Sequence, residues 1–178
     1  FNQPHFENGS LKLISQVLKE HGISNPLICT DPGLVAIGMT DKIRNLLSNE
    51  LSPTFYTETP ANPTEQAVND ALKLFKQNKC DGVVGFGGGS SMDLAKTVAL
   101  MANHEGNVVD YSVNEGGTGK ITETVPTIAI PTTSGTGSEV SLGAVIIMND
   151  GRKLILASDH LVPNCLLYTS PSPRDLYR

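Results

Sequence analysis

Twice in this sequence a short apolar run breaks off into a loop of glycines and hydroxyl side chains. Gly82-Val83-Val84 runs into Gly85-Phe86-Gly87-Gly88-Gly89-Ser90-Ser91-Met92-Asp93, and Thr127-Ile128-Ala129-Ile130 runs into Pro131-Thr132-Thr133-Ser134-Gly135-Thr136-Gly137-Ser138-Glu139. Each loop leaves a strand with a buried pattern and leads into a new element. Bare backbone N–H groups gathered at such a point accept a phosphate, most of all where a helix begins. Two such loops in one chain point to a ligand with more than one anionic group, such as a dinucleotide.

The segments around the loops alternate in the same way. Leu11, Ile14, Val17 and Leu18 recur at helical spacing over 10–20, and Gly22 stops the run. Residues 27–30 and 55–56 read as short strands, with a helix over 34–49 between them. Val68, Ala71, Leu72 and Phe75 share one face of a helix that runs to residue 79, with Pro63 at its start. A strand over 81–85, a helix over 90–102 and a strand over 128–130 follow. Residues 103–124 are polar and glycine-rich and read as a long surface connection. Asn149-Asp150-Gly151-Arg152 between two apolar runs, 144–148 and 154–157, is a hairpin signature. Strands separated by helices of this length make βαβ units, so the expected fold is α/β, a Rossmann-like, mostly parallel sheet with flanking helices.

Composition narrows the function. With 178 residues there is enough chain for one domain with a sizeable core. The formal net charge of −5 argues against nonspecific nucleic-acid binding, which needs a basic face. The apolar runs are far short of a membrane span. The chain opens on Phe1 with no signal-peptide pattern, and its upstream end is expected to be missing. Cys29, Cys80 and Cys165 are odd in number and form no CxxC pair, which suits a reducing, cytoplasmic compartment. His5, His21, His104 and His160 have no metal-ligand spacing. The stretch 165–178 lacks periodicity and carries two Ser-Pro steps; it is expected to be an unstructured, non-native tail resembling adapter read-through, after an α/β domain over 1–164.

Within the first loop, successive glycines remove every Cβ from the turn, and Ser90 and Ser91 offer hydroxyls to a ligand or to the helix start. The run fails the GxGxxG pattern at Ser90, and it departs from the ordinary Rossmann unit, whose acidic partner lies about 20 residues downstream. The candidate acid, Asp31, lies upstream at the end of the first strand. Its carboxylate suits a ribose diol and repels a 2′-phosphate, which favours NAD over NADP; equally, Asp31 can be no more than the first residue of an Asp-Pro-Gly turn.

The segments Gly87-Gly88-Gly89-Ser90-Ser91-Met92-Asp93-Leu94-Ala95-Lys96 and Pro131-Thr132-Thr133-Ser134-Gly135-Thr136-Gly137-Ser138-Glu139-Val140, together with Thr30-Asp31-Pro32-Gly33-Leu34, Pro60-Ala61-Asn62-Pro63-Thr64 and Lys153 after the hairpin turn, resemble in order the motifs of the iron-containing (group III) alcohol dehydrogenases over roughly residues 9–164. The resemblance implies an N-terminal nucleotide-binding domain whose helical C-terminal partner is absent here, and a homo-oligomer when the protein is full length. It implies that Asp31 meets the adenosine ribose and Asn62 the adenosine side of NAD. Gly88, Gly89, Ser90, Ser91 and Met92 would wrap the diphosphate, with Asp93 supporting the helix start. Thr132, Thr133, Ser134, Gly135 and Thr136 would line the rest of the coenzyme, and Val145 and Lys153 its nicotinamide end. The reaction implied is reversible hydride transfer between an alcohol and an aldehyde or ketone, assisted by Fe²⁺. The ligands of that metal, one Asp and three His in the family, have no match in this chain. Glycerol dehydrogenases and dehydroquinate synthases share the fold but not the Pro-Thr-Thr-Ser-Gly-Thr-Gly run. A noncatalytic nucleotide-binding module is the remaining alternative.

Overall fold

A computed structural model of the chain describes residues 3–5 and 9–168. Six strands form one parallel sheet in the order β1-β8-β5-β4-β2-β3. They are β1 (Gln3–His5), β2 (Pro26–Cys29), β3 (Thr54–Tyr56), β4 (Gly82–Gly87), β5 (Thr127–Pro131) and β8 (Cys165–Leu167). Two further strands, β6 (Gly143–Ile147) and β7 (Lys153–Ala157), pair antiparallel in a separate ribbon. All six residues of β4 are buried, as a central parallel strand covered on both faces must be.

Alternation along the strands divides the core in two. Leu27, Cys29 and Val83 face helices α4 (Glu65–Gln77) and α5 (Gly89–Asn103), together with Ile146, Leu154 and Leu156 of the ribbon. Ile28, Val84, Phe86, Ile128 and Ile130 face the other way, onto α1 (Ile14–Glu20) and Ile43 of α3 (Met39–Leu46). Gly82 and Gly85 let a loop and a helix approach the sheet closely. A Cβ on Gly82 would fall 2.6 Å from the side chain of Ile23, and one on Gly85 would fall 3.0 Å from Cα of Met92. Val83-Val84 supplies the wall and the flanking glycines the clearance.

Several expectations need correcting. The helix expected over 34–49 is two: α2 (Pro32–Ala36) and α3, separated at Gly38, whose φ of 75° takes the chain through a left-handed step. Pro63 does not open α4; Thr64 caps it instead, its Oγ1 accepting from the Ala67 N–H at 3.2 Å. The connection over 103–124 is not merely surface, because its short 3-10 turns bury Val108, Tyr111 and Ile121 in the core. The first turn of the opening helix, Ser10–Leu13, is likewise 3-10.

The stretch from Cys165, expected to be irregular, begins with a strand in the interior of the sheet. Asn164 sets its register: its N–H donates to the Thr127 carbonyl at 2.7 Å, and its Oδ1 accepts from the Thr127 N–H at 2.8 Å. Cys165 and Leu167 then fall on one core face, while Leu166 meets Met92 and Ala129 on the other. The remainder of that expectation, over 169–178, lies outside the described residues. No helix among the described residues is long and apolar enough to cross a membrane.

Candidate functional site

The chain leaves β2 toward α2 and α3 on one face of the sheet, and leaves β4 toward α5 on the other. Between the carboxyl ends of these adjacent strands the connections diverge, and in open α/β sheets that crevice is where ligands bind. A cavity of about 860 Å³ opens there. Asp31 to Leu34 form one wall, Thr59 to Ala61 a second, Gly88, Ser90 and Ser91 the floor, and Pro131 to Ser134 the far side.

Asp31 does two things at once. Its Oδ1 accepts the Leu34 N–H at 3.0 Å and caps α2, which is the turn role. Its Oδ2 faces the glycine loop, 3.1 Å from where a Cβ on Gly87 would stand. That Cβ would also lie 2.5 Å from Ser91 Oγ, and the φ of 151° at Gly87 is one that L side chains rarely adopt. Glycine is therefore required at 87 by both conformation and space. Gly88 is extended and caps α5 with no side chain, so the first-turn N–H groups of this fifteen-residue helix open toward the cavity.

The second loop comes alongside the first. The Thr132 N–H donates to the Gly87 carbonyl at 2.9 Å, and Thr133 Oγ1 would be 3.4 Å from a Cβ on Gly88. Ser90 Oγ donates to the Ala61 carbonyl and ties the Pro60–Asn62 turn to the glycine loop. Thr59 is buried at 2% exposure and lines the cavity, and its hydroxyl has no hydrogen-bond partner among the described residues. Sequence reasoning missed Thr59, for which the only signal was a hydroxyl beside the two-proline turn.

Not every expected residue converges on the cavity. Met92 is buried against Ala129 and Leu166, and its N–H is engaged with the Gly88 carbonyl at 3.3 Å, so its side chain belongs to the core. Asp93 does not support the start of α5. Its Oδ1 accepts from Ser138 Oγ and its Oδ2 from the Val145 N–H at 3.0 Å. Gly89 and Thr136 pack together behind the cavity wall, and Thr136 Oγ1 donates to Glu139 Oε2 at 3.1 Å. Asn62 and Gly135 do not line the cavity. Val145 and Lys153 lie outside it too, sharing the exposed face of the β6–β7 ribbon through the pairs Val145 with Ile155 and Ile147 with Lys153. Among the described residues no three of His, Cys, Asp and Glu gather where they could hold a metal ion. Cys29, Cys80 and Cys165 are all buried.

A parallel sheet with helices on both faces and a glycine-floored crevice at its switch point defines the doubly wound α/β class. A profile of the iron-containing alcohol dehydrogenases matches residues 2–170, and the chain belongs to that family. It is 46% identical to 4-hydroxybutyrate dehydrogenase of Cupriavidus necator over 160 residues, 89% of this chain and 42% of that protein. A crystal structure of sulfoacetaldehyde reductase from Bifidobacterium kashiwanohense in complex with NAD+ superposes with a TM-score of 0.83 at 29% identity, covering 93% of this chain and 44% of the other. A 1,3-propanediol oxidoreductase gives a TM-score of 0.87 at 27% identity, with 93% and 43% coverage. The chain thus spans less than half the length of these relatives.

Proposed function

We propose that this chain is the coenzyme-binding half of an alcohol dehydrogenase-type oxidoreductase and that it takes NAD across the crevice between β2 and β4. The observation that carries this reading is the meeting of Asp31 with the side-chain-free turn at Gly87-Gly88, which sets an acceptor for a ribose diol beside N–H donors for a diphosphate. The unpartnered Thr59 hydroxyl fits the same occupant, since a buried polar atom without a partner is costly and a nucleoside can supply one. Thr132, Thr133 and Ser134 close the far side with adjustable donors and acceptors. The NAD+ complex of the sulfoacetaldehyde reductase supports the choice of coenzyme.

When bound, NAD supplies the hydride acceptor, and the work of this chain is to bind and orient it. The substrate class we infer is a small alcohol or its aldehyde. Iron, named in the family's description, is assigned to no residue here, because the described donors do not assemble a site for it.

Two measurements test the reading. Calorimetric titration of the chain should show NAD uptake, while the chain alone should oxidise no alcohol; measurable NAD-dependent alcohol oxidation by residues 1–178 would overturn the division of labour. Asp31→Gly should relax discrimination against NADP by about tenfold or more, the effect of removing one like-charge contact of roughly 1–2 kcal/mol. The lost α2 cap should cost only a few tenths of a kcal/mol, because glycine is itself a tolerated cap. An unchanged NAD to NADP affinity ratio would refute the role of Asp31.

A further inference from the structure

Thr59 stands in the wall of the crevice with a hydroxyl that nothing among the described residues satisfies. The residue is 2% exposed, and its Oγ1 is sealed from solvent and without a hydrogen-bond partner. A buried hydroxyl left in this way costs stability, and a valine of the same shape would avoid the cost. The backbone around it is held firmly. The Thr30 N–H donates to the Tyr56 carbonyl at 2.9 Å and the Thr59 N–H to the Thr30 carbonyl at 3.2 Å, which carries the β2–β3 pairing past its last strand residues. On the other side, Pro60 restricts the backbone of Thr59 to extended conformations, and Ser90 Oγ holds the Ala61 carbonyl.

Thr30 offers the comparison. It is fully buried, and its hydroxyl is equally without a partner among the described residues, but it does not line the cavity. Thr59 does, together with Asp31. The carboxylate of Asp31 is divided: Oδ1 accepts the Leu34 N–H at 3.0 Å, and Oδ2 turns to the Gly87 side. A ribose diol brings two hydroxyls, and the one carboxylate oxygen outside the cap serves one of them. The second needs another polar group at this end of the crevice. Pro32, Gly33, Leu34, Pro60 and Ala61, which share the two walls there, have no polar side chain, and this leaves Thr59.

We propose that Thr59 is a specificity-determining residue for the coenzyme: its hydroxyl takes one ribose hydroxyl of the adenosine half while Asp31 Oδ2 takes the other. The assignment rests on the NAD reading above. Contact requires Thr59 to turn about χ1 by one rotamer, which exchanges its hydroxyl with its methyl at constant volume. The methyl then occupies the buried side, where it misses no partner, and the hydroxyl meets the ribose. Binding thereby satisfies a hydroxyl that the protein by itself leaves unpaired. Recognition of this kind selects a ribonucleotide against its deoxy counterparts, since a ligand without that ribose hydroxyl leaves the threonine unsatisfied again.

Calorimetric titration with NAD and with its 2′-deoxyadenosine and 3′-deoxyadenosine analogues, paired with urea unfolding, tests this. The unsubstituted chain should bind each analogue about fivefold or more weaker than NAD, the loss of one hydrogen bond. Thr59→Val should weaken NAD by about fivefold, and one of the two analogues should then bind to it as tightly as NAD does, because the partner of the missing hydroxyl is already gone. Its urea midpoint should be unchanged or higher, whereas a merely structural threonine would give a lower midpoint and an equal loss for all three ligands. Thr30→Val removes the comparable hydroxyl outside the cavity and should leave NAD affinity as it is. Should Thr59→Val fail to fold, Thr59→Ala lacks the same hydroxyl and must reproduce the analogue pattern. Unchanged NAD affinity in the folded Thr59 variants overturns the proposal. So does the same discrimination against both analogues in parent and variant, or an equal loss of NAD affinity on Thr30→Val. If the unsubstituted chain takes up no NAD, the coenzyme reading falls and this role with it; uptake of NAD that is indifferent to Thr59 removes this role alone.

Discussion

Gly87→Ala is expected to destabilise the chain by roughly 2–5 kcal/mol, the sum of a strained backbone and an overpacked contact. The φ of 151° is unfavourable for any L side chain, and the added methyl would stand 2.5 Å from Oγ and 2.9 Å from Cβ of Ser91. Ser91 is 1% exposed, so the clash falls on a buried side chain in the first turn of α5. The urea midpoint should therefore fall sharply, and whatever remains folded should bind NAD poorly. Gly88→Ala is the contrasting case. Its φ of −80° is ordinary, and the new Cβ would make only a van der Waals contact of 3.4 Å with Thr133 Oγ1. It should fold near the wild-type midpoint and lose coenzyme affinity, because the methyl projects between the two loops. Equal stability of Gly87→Ala and the parent chain would show that the loop is not built as described.

Comparison of Lys96→Met with the parent across pH should give the next largest effect. Burial lowers the Lys96 ammonium from 10.5 to about 8, with Asp93 and Glu139 opposing the shift. Between those two values the unfolded chain holds a proton that the folded chain has released. Stability of the parent relative to Lys96→Met must then rise with pH, by roughly 2–3 kcal/mol between pH 7 and pH 10. Raw stability of either protein will not show this cleanly. Burial raises the thiols of Cys29 and Cys165, and folded thiols that stay protonated make stability fall over the same range. Those contributions are common to both proteins and cancel in the difference. A flat difference in urea-unfolding free energy would mean that the Lys96 ammonium is exposed to water.

Both predictions concern residues within ten positions of each other, yet only one could be argued from the sequence. Gly87 sits in a run whose composition announces a side-chain-poor turn after a buried strand. Lys96 stands in the sequence at the end of the first motif, one turn after Asp93, but its burial and its partners do not show there, because the carbonyls of Ser141 and Gly143 lie 45 and 47 residues further along the chain. Asp93 is hidden in the same way: the resemblance implies that it supports the helix start, while its carboxylate accepts from Ser138 and Val145, 45 and 52 residues away.

Local periodicity was enough for the α/β alternation, the two loops, the Asp-Gly hairpin and the identity of the acid at the end of β2, since each depends on interactions over a few residues. Strand order, the placing of Asp31 opposite Gly87, the insertion of Cys165–Leu167 between β1 and β5, and the anchoring of the second loop by α5 follow from contacts between distant segments. Hydrogen-bond partners of that kind leave no periodic trace in a chain, so they become visible only once it has folded.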